Sequence, residues 1–374
     1  MSEKMELLAT STFGLERVLA DELIDLGYSD IKIENGKVNF KGDIFDICRT
    51  NMWLRTADRV KIKVGEFEAT SFEELFDKVY ALPWEEYIPG DAYFPVEGKS
   101  VNSTLYSVPD CQKIVKKAVV ERMKTRYNKS WFEEEGPDFV IEVAILKDQV
   151  SVTIDTTGPG LHKRGYRKKF KGAPLKETLA AGLVKLARYK AKDPLIDPFC
   201  GLGTIPIEAA MIGKNIAPGL FREFTFEDWP FVSFETLDRA REEADDLAEP
   251  DRELEIIGND IDDEVLKMAR ENARQFNLED DIHFQQKPVY QLSSKKKNGK
   301  IICNPPYGHR LEEDNQVKKI YKDMAKVFSN NLDDSWSFYI LTPEKKFEKI
   351  FAKKATKRRK LYNGRIEVHY YQYF

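Results

Sequence analysis

The chain has 374 residues, of which 42% are hydrophobic and 33% charged, so it can form two or three domains with hydrophobic cores. Its net charge of -4 and pI of about 5.9 do not by themselves indicate a nucleic-acid-binding protein, although a local basic surface would be enough for one. No apolar run is long enough to span a bilayer and no apolar signal core follows Met1–Lys4, so we expect a cytoplasmic protein without a membrane partner. The four cysteines form no Cys-x-x-Cys pair and the four histidines are scattered, a pattern that argues against disulfides and against a zinc or other metal site.

Residues 1–65 have the pattern of a small α+β unit. Glu6–Thr10 is strand-like, and the apolar spacing over Gly14–Leu26 predicts a helix. Alternating residues on both sides of Asn35-Gly36 predict a β-hairpin, because this dipeptide favours the tight turn that joins two antiparallel strands.

Residues 66–157 repeat this organisation. We predict a strand at Ala92–Val96, a helix at Pro109–Tyr127, and paired strands at Phe139–Ile145 and Val150–Asp155. The long helix carries basic residues away from its apolar face, and these side chains fit a solvated surface and an RNA backbone contact equally well. They include Lys113, Lys116 and Lys117.

Residues 158–172 form a basic linker in which Lys and Arg residues are interleaved with aromatic ones. This composition favours contacts with phosphates and bases, and the alternative is a flexible, solvated connector. The candidate RNA-binding residues of the linker are His162, Lys163, Arg164, Tyr166, Arg167 and Lys168.

From residue 173 to residue 374, strands alternate with helices, which predicts an α/β fold with a mostly parallel sheet. At Leu195–Thr204 a strand leads into a glycine turn and a helix, but the turn has neither the P-loop pattern nor the GxGxxG pattern. Asp197, just before the turn, would repel phosphates and suits a ligand with an amino group. The next strand, Ile256–Asp260, ends in an acid placed either to bind ribose hydroxyls or to cap the following helix.

Further strands are predicted at Ile282–Gln286, Lys300–Cys303 and Trp336–Leu341. The chain closes on two strand-like runs joined by Asn363-Gly364, which predicts a hairpin. A hairpin here would add antiparallel strands to an otherwise parallel sheet.

The predicted strand Lys300–Cys303 is followed by Asn304-Pro305-Pro306-Tyr307, in which the two prolines prevent both strand pairing and an immediate helix. The Asn304 side-chain oxygen and the Pro305 carbonyl can accept hydrogen bonds from an exocyclic amino group, and Tyr307 can stack on the ring that carries it. A simple proline-rich turn explains these residues about as well when they are taken alone. The upstream glycine turn and acid favour the ligand-binding interpretation.

Together these motifs resemble the class I S-adenosylmethionine-dependent methyltransferases that modify exocyclic amino groups. Asp197–Thr204 is similar to their cofactor loop, and Asn304–Tyr307 is similar to their (Asn/Asp)-Pro-Pro-(Tyr/Phe) motif. More narrowly, and nearly end to end, the chain resembles the THUMP-domain RNA guanine-N2 methyltransferases of the RlmL-like type, which act on bacterial 23S rRNA. This narrower resemblance rests on Leu161–Arg167, Ala173–Ala180 and Asn304–Gly308 with Arg310-Leu311.

The resemblance implies four regions: a ferredoxin-like subdomain at 1–65, a THUMP RNA-binding domain at 66–157, the basic linker at 158–172, and a Rossmann-like methyltransferase domain with a reversed last strand at 173–374. It implies S-adenosylmethionine as the cofactor and catalysis by the Asn304–Tyr307 corner, that is, by Asn304, Pro305, Pro306 and Tyr307. The implied cofactor-binding residues are Asp197, Phe199, Cys200, Gly201, Gly203, Thr204, Asp260, Ile261, Gln286 and Asn304.

The implied reaction is methyl transfer to the N2 amino group of a guanosine in RNA, with 23S rRNA as the first expectation. The alternatives are guanine N2 in tRNA, adenine N6 in DNA, and a non-catalytic RNA-binding factor for ribosome assembly. One departure concerns adenine recognition, because Gln285–Pro288 stands where the family often has an acid. Gln286 or a backbone group must then recognise the adenine of the cofactor.

Overall fold

A computed structural model describes residues 4–167, 174–307 and 311–374, with the backbone alone at 311–314. The described residues form two seven-stranded sheets, one in each half of the chain. Within these residues, none of the helices combines the length and apolar character needed to cross a membrane.

The first sheet has the strand order β2-β3-β1-β4-β7-β6-β5. Its strands are β1 (Met5–Ser11), β2 (Lys32–Glu34), β3 (Lys37–Gly42), β4 (Ala57–Glu68), β5 (Val96–Val101), β6 (Ile141–Leu146) and β7 (Gln149–Asp155). Its helices are α1 (Glu16–Asp25), α2 (Ile44–Trp53), α3 (Phe72–Tyr80) and α4 (Val108–Tyr127). β4 pairs with β1 on one side and with β7 on the other, so residues 1–65 and 66–157 share one sheet. The division of the chain at residues 65, 157 and 172 stays a prediction.

Local turn chemistry accounts for the hairpins of this sheet. The predicted β2–β3 hairpin is confirmed, and Gly36 adopts a φ of 74°, a conformation that glycine tolerates best. The predicted pairing of β6 with β7 is confirmed as well. The strand predicted at Ala92–Val96 is wrong: only an isolated bridge forms at Tyr93, and β5 begins at Val96, after Pro95, which has no N–H to donate to a ladder.

The second sheet has the strand order β10-β9-β8-β11-β12-β14-β13. Its strands are β8 (Leu195–Asp197), β9 (Ile256–Asp260), β10 (Ile282–Gln286), β11 (Lys300–Cys303), β12 (Ser337–Thr342), β13 (Lys357–Asn363) and β14 (Ile366–Tyr373). The helices of this half are α5 (Glu177–Leu186), α6 (Thr204–Gly213), α7 (Phe234–Leu247), α8 (Asp263–Arg274), α9 (Leu311–Asn330) and α10 (Phe347–Ile350). β8 to β12 are parallel, whereas β14 is antiparallel to β12, which confirms the predicted sheet and its closing hairpin.

A segment of the second half, from residue 217 to residue 244, packs into the core of the first half. Trp229 stacks on Phe139 with 4.4 Å between ring centroids, and its indole N–H donates to the Asp138 carbonyl at 2.9 Å. α7 packs against α2. The sequence interpretation did not identify α7, which packs the second half of the chain against a helix of the first half.

Candidate active site

The carboxyl ends of four neighbouring strands bring the predicted site residues to one edge of the second sheet. In the order β10-β9-β8-β11, these strands end at Gln286, Asp260, Asp197 and Cys303, the last being followed directly by Asn304. Ligands bind at this edge of open α/β sheets, because the loops that follow the strands meet there.

The glycine turn after β8 is adapted to close contact with a ligand. Gly201 and Gly203 have φ values of 51° and 81°, in the left-handed region that favours glycine. A Cβ atom at Gly203 would lie 3.0 Å from Phe284 Cζ, so the second glycine is needed for packing under the turn. A Cβ at Gly201 would meet no described atom within 4 Å, so the first glycine faces open space.

Two acidic residues that differ in burial accept hydrogen bonds from the backbone of this turn. Asp260 is half-buried and accepts hydrogen bonds from the N–H groups of Gly201 and Asp262, each at 3.0 Å. Asp197 is 1% exposed and accepts from the Phe199 N–H at 3.0 Å. Burial raises the pKa of Asp197 well above its usual value, and the charge of Asp260 adds to this effect. Asp197 therefore lies beneath the turn, while Asp260 reaches the edge of the sheet.

The acid at the end of β9 is not the cap of the next helix. Asp262 caps α8 by accepting a hydrogen bond from the Glu264 N–H at 2.9 Å. Beside Asp260, the Ile261 side chain is 70% exposed, and its carbonyl accepts a hydrogen bond from the Gln286 side-chain amide at 2.9 Å. An exposed apolar side chain next to a fixed amide could contact a flat heterocycle.

The other predicted residues of the turn are packed below it. Phe199 lies partly buried against the core on the α9 side of the sheet. Cys200 is 6% exposed and Thr204 is 5% exposed. These side chains support the turn, of which Gly201 is half-buried.

The Asn304–Tyr307 corner follows β11 as predicted. Pro305 is buried, Pro306 is exposed and Asn304 is half-buried. The corner is supported by Tyr321 of α9, whose hydroxyl donates to the Pro306 carbonyl at 3.5 Å and lies 2.9 Å from Thr342 Oγ1. Gly308 and Arg310, which contribute to the family resemblance, lie outside the described residues.

Tyr307 lies close to Asn304 in this structure. Its hydroxyl donates a hydrogen bond to Asn304 Oδ1, and its ring packs against the core of the second half. Burial raises the pKa of Tyr307, so the hydroxyl stays protonated and remains a donor at neutral pH. The Asn304 oxygen that is predicted to bind a substrate amino group is thus already oriented by a neighbour.

The basic linker is more deeply buried than its composition suggested. Arg164 and Tyr166 are each 1% exposed, which corrects the expectation that they contact RNA. Arg164 pairs with buried Glu208 at 3.3 Å and donates to the carbonyls of Arg55 and Leu161, and Tyr166 donates to the same glutamate. These contacts join the linker to helix α6 and to the first half of the chain.

The Arg167 side chain also forms its polar contacts within the protein. Its guanidinium donates to Thr204 Oγ1 at 2.8 Å and to the Leu175 carbonyl at 3.1 Å, and it lies 3.4 Å from the Glu177 carboxylate. His162 is half-buried, and burial together with nearby cations such as Lys176 lowers its pKa to about 4.

The remaining candidates differ in accessibility. Lys163, Lys113 and Lys117 are exposed, whereas Lys116 pairs with Glu134 at 2.6 Å and lies over the Phe94 ring. Lys168 lies outside the described residues. The sequence interpretation missed Glu208, although a carboxylate inside the apolar helix Thr204–Gly213 is itself a signal of a buried partner.

Comparisons with known proteins agree with this geometry. The model of the RMKL-like methyltransferase domain matches residues 164–372, that of the RlmL ferredoxin-like domain matches residues 6–61, and that of the THUMP domain matches residues 69–155. The chain belongs to the RMKL-like methyltransferase family. It is a methyltransferase, and the predictions of family, fold class and S-adenosylmethionine as the cofactor are confirmed.

Among curated relatives of this RMKL-like protein, "Putative RNA methyltransferase YpsC" of Bacillus subtilis is 49% identical, over 100% of this chain and 96% of its own length. "Ribosomal RNA large subunit methyltransferase K/L" of Syntrophotalea carbinolica is 32% identical over 98% of this chain, which covers 53% of that longer relative.

Solved structures match over nearly the whole chain. A protein described as a predicted N6-adenine-specific DNA methylase from Listeria monocytogenes is 51% identical, with a TM-score of 0.94 and coverage of 100% of this chain and 96% of that one. SMU.472, described as a putative methyltransferase complexed with SAH, is 47% identical, with a TM-score of 0.94 and coverage of 100% and 99%. TrmN from Thermus thermophilus, at 19% identity and a TM-score of 0.72 over 98% of both chains, shares the fold.

Proposed function

We propose that this RMKL-like protein transfers a methyl group to the N2 amino group of a guanosine in 23S rRNA. The observation that carries the proposal is the position of Asn304 and Pro305 at the end of β11, beside the glycine turn of β8. Two acceptor oxygens there suit an exocyclic amino group, which has two protons to donate.

The cofactor site uses the edge formed by β8, β9 and β10. The open space at Gly201 would let the backbone approach the methionine part of S-adenosylmethionine, and half-buried Asp260 would accept hydrogen bonds from the ribose hydroxyls. Exposed Ile261 and the Gln286 amide beside it would hold the adenine. Asp197, Phe199, Cys200, Gly203 and Thr204 hold the turn in shape.

The bound cofactor supplies an electrophilic methyl group on a sulfonium. An aromatic amino group is a weak nucleophile, because its lone pair is delocalised into the ring. Asn304 Oδ1 and the Pro305 carbonyl would accept hydrogen bonds from its two N–H groups, which directs the lone pair towards the methyl group and stabilises the positive charge that develops on nitrogen. As the N–CH3 bond forms, the S–CH3 bond breaks and S-adenosylhomocysteine is left, and the cationic nitrogen then loses one proton to water. Positioning of this kind is worth roughly 7–11 kcal/mol in well-oriented systems.

The remaining parts of the corner keep these acceptors in place. The Tyr307 hydroxyl fixes the Asn304 side chain, and Tyr321 fixes the Pro306 carbonyl. The Tyr307 ring stacks on a base that has left its helix, a step that costs on the order of a few kcal/mol. The exposed cations Lys163, Lys113 and Lys117 contribute to RNA binding through the phosphates, so affinity should fall steeply with salt.

A second candidate is adenine N6 in DNA, because a 51% identical protein of known structure is described as a predicted N6-adenine-specific DNA methylase. The same two acceptors could bind that amino group. The THUMP domain match and the relatives described as RNA and ribosomal RNA methyltransferases favour RNA.

The decisive experiment is methyl transfer from labelled S-adenosylmethionine to total RNA from cells that lack the protein, followed by nucleoside analysis of separated 23S rRNA and tRNA. Label in N2-methylguanosine of 23S rRNA is the expected result. Label in tRNA would change the substrate and keep the chemistry. No label in RNA, with the cofactor nonetheless bound, would overturn the proposal and leave adenine N6 in DNA as the candidate, and absence of cofactor binding would favour a non-catalytic assembly factor.

The first mutational test removes the side-chain acceptor. Asn304→Ala should still bind S-adenosylmethionine and lose about 10²–10³-fold in kcat, because one of the two acceptors is missing in the transition state. Asn304→Asp is the matched control, since it keeps an acceptor oxygen at the same place and should retain more activity. Full activity in Asn304→Ala would contradict the proposed mechanism.

A further inference from the structure

The tip of the closing hairpin extends beyond the edge of the sheet that carries the active-site corner. Thr342, the last residue of β12, pairs with His369, whereas β14 begins three residues earlier, at Ile366, which pairs with Asn363. The hairpin therefore projects roughly 10 Å past the carboxyl end of β12. Its tip stands beside the loops that follow the parallel strands.

This tip contacts the active-site corner directly. Tyr307, whose hydroxyl holds Asn304, has the Asn363 side chain of this tip beside it. The neighbouring residue of the hairpin, Tyr362, is half-buried, and exposed Lys360 lies 5.3 Å from the centre of the Tyr362 ring.

A loop of the first half of the chain packs against this same hairpin. Arg359 of β13 donates to the Gly14 carbonyl at 2.8 Å. Gly14 has a φ of 92°, and a Cβ there would lie 2.5 Å from the Lys360 carbonyl oxygen, so the approach of the two backbones requires glycine. Glu16 holds the loop from behind by accepting from the N–H groups of Gly14 at 2.8 Å and Gly36 at 3.0 Å.

The loop presents Phe13 next to the hairpin tip. The Phe13 ring is 55% exposed, and its centre lies 6.2 Å from the centre of the Tyr362 ring in an edge-to-face arrangement. An aromatic side chain that is half exposed on a rigid loop keeps much of its apolar face in water, although burial would be favourable. Its neighbour Tyr362 provides a second ring, so the pair suits a partner with a flat aromatic ring, whereas the Lys360 ammonium is paired with the Glu367 carboxylate.

We propose that Phe13 and Tyr362 form a stacking platform for an unpaired RNA base adjacent to the target nucleotide. This inference rests on the proposed function and adds a substrate contact from the first half of the chain. Bases of single-stranded RNA stack on aromatic side chains of this kind. Phe13 is a positioning residue: it holds the RNA while the Asn304–Tyr307 corner performs the reaction.

The test compares Phe13→Ala and Phe13→Trp with the full-length wild-type protein on unmodified 23S rRNA transcribed in vitro. Base stacking of this kind is lost in the alanine variant, so kcat/KM for RNA should fall about 5- to 150-fold, mainly through KM. Phe13→Trp should retain most of the activity, because tryptophan stacks at least as well. The affinity for S-adenosylmethionine and the urea midpoint of unfolding should stay close to the wild-type values in both variants.

Phe234→Ala is the matched control, because Phe234 is 78% exposed at the start of α7, a helix that packs on the first half of the chain. Its kcat/KM should stay within twofold of the wild type. Unchanged kcat/KM in Phe13→Ala would overturn the inference, and so would a parallel loss of stability and cofactor affinity, which would indicate a purely structural role. If the wild type produces no N2-methylguanosine, the proposed function fails, and the RNA affinities of the same variants still decide whether Phe13 contacts RNA.

Discussion

Replacing Arg164 with Met should destabilise the protein strongly, although a basic linker residue would ordinarily be expected to tolerate substitution. The Arg164 side chain is 1% exposed and its partner Glu208 is fully buried. The guanidinium forms hydrogen bonds with Glu208 and with the carbonyls of Leu161 and Arg55, so one side chain connects the linker, α6 and the first half of the chain.

The expected loss of stability follows from the buried charge that remains after the substitution. Without Arg164, the Glu208 carboxylate keeps only the Tyr166 hydroxyl, at 3.3 Å, among the hydrogen-bond partners described for it. Removing one partner of a buried ion pair costs about 3–5 kcal/mol, because the remaining charge is neither solvated nor paired. The double variant Arg164→Met/Glu208→Met should be less destabilised than Arg164→Met alone, since it buries no uncompensated charge.

The assay is urea denaturation followed by fluorescence, together with RNA binding measured over a range of salt concentrations. The exposed neighbour Lys163 provides the control, because Lys163→Met should change the free energy of unfolding by no more than about 0.5 kcal/mol and should weaken RNA binding. If Arg164→Met were as stable as the wild type and had lost RNA affinity, the structural role given to Arg164 would be refuted.

Two further predictions concern the cofactor turn and the pH dependence of stability. Gly203→Ala should lower both the free energy of unfolding and the affinity for S-adenosylmethionine, since its Cβ would crowd Phe284. Gly201→Ala faces open space and should reduce the cofactor affinity more than the stability. Urea denaturation and calorimetric titration measure both quantities, and equal effects of the two substitutions would contradict the different roles given to the two glycines. Burial raises the pKa of Glu177 from 4.5 to about 7 despite the nearby Arg167 cation, so the protonated form is favoured by folding. The stability that this proton contributes is fully present below pH 4.5 and is lost as the pH rises through 7, a change of about 3 kcal/mol. Glu177→Gln should therefore flatten the stability profile between pH 5 and 8, and an unchanged slope would show that the carboxyl titrates normally.

Local sequence signals located most of the elements that form the site. Asn35-Gly36 and Asn363-Gly364 predicted the two hairpins, because these dipeptides favour the backbone conformation of tight turns. The Asn304–Tyr307 corner was predicted at the end of its strand, because two prolines cannot continue a ladder. The strand predicted at Ala92–Val96 was wrong for a local reason too, because β5 begins only after Pro95.

Contacts between residues far apart in the chain determine which basic residues are buried, which the sequence pattern could not predict. The spacing of basic residues in the linker could not separate Lys163, which is exposed, from Arg164, which is buried, because the partner of Arg164 is Glu208 on another element. The attachment of residues 217–244 to the first half of the chain depends on contacts such as that of Trp229 with Phe139.

The sequence by itself therefore determined the elements, the order of the motifs and the chemistry that they suggest, since backbone preference and hydrophobic period are encoded in neighbouring residues. Only the tertiary structure decided which charged side chains are paired inside the protein and which face solvent. It alone brings Phe13 within 6.2 Å of Tyr362, between residues far apart in the chain. Burial and charge pairing depend on which surfaces meet after folding, and no local pattern contains that information.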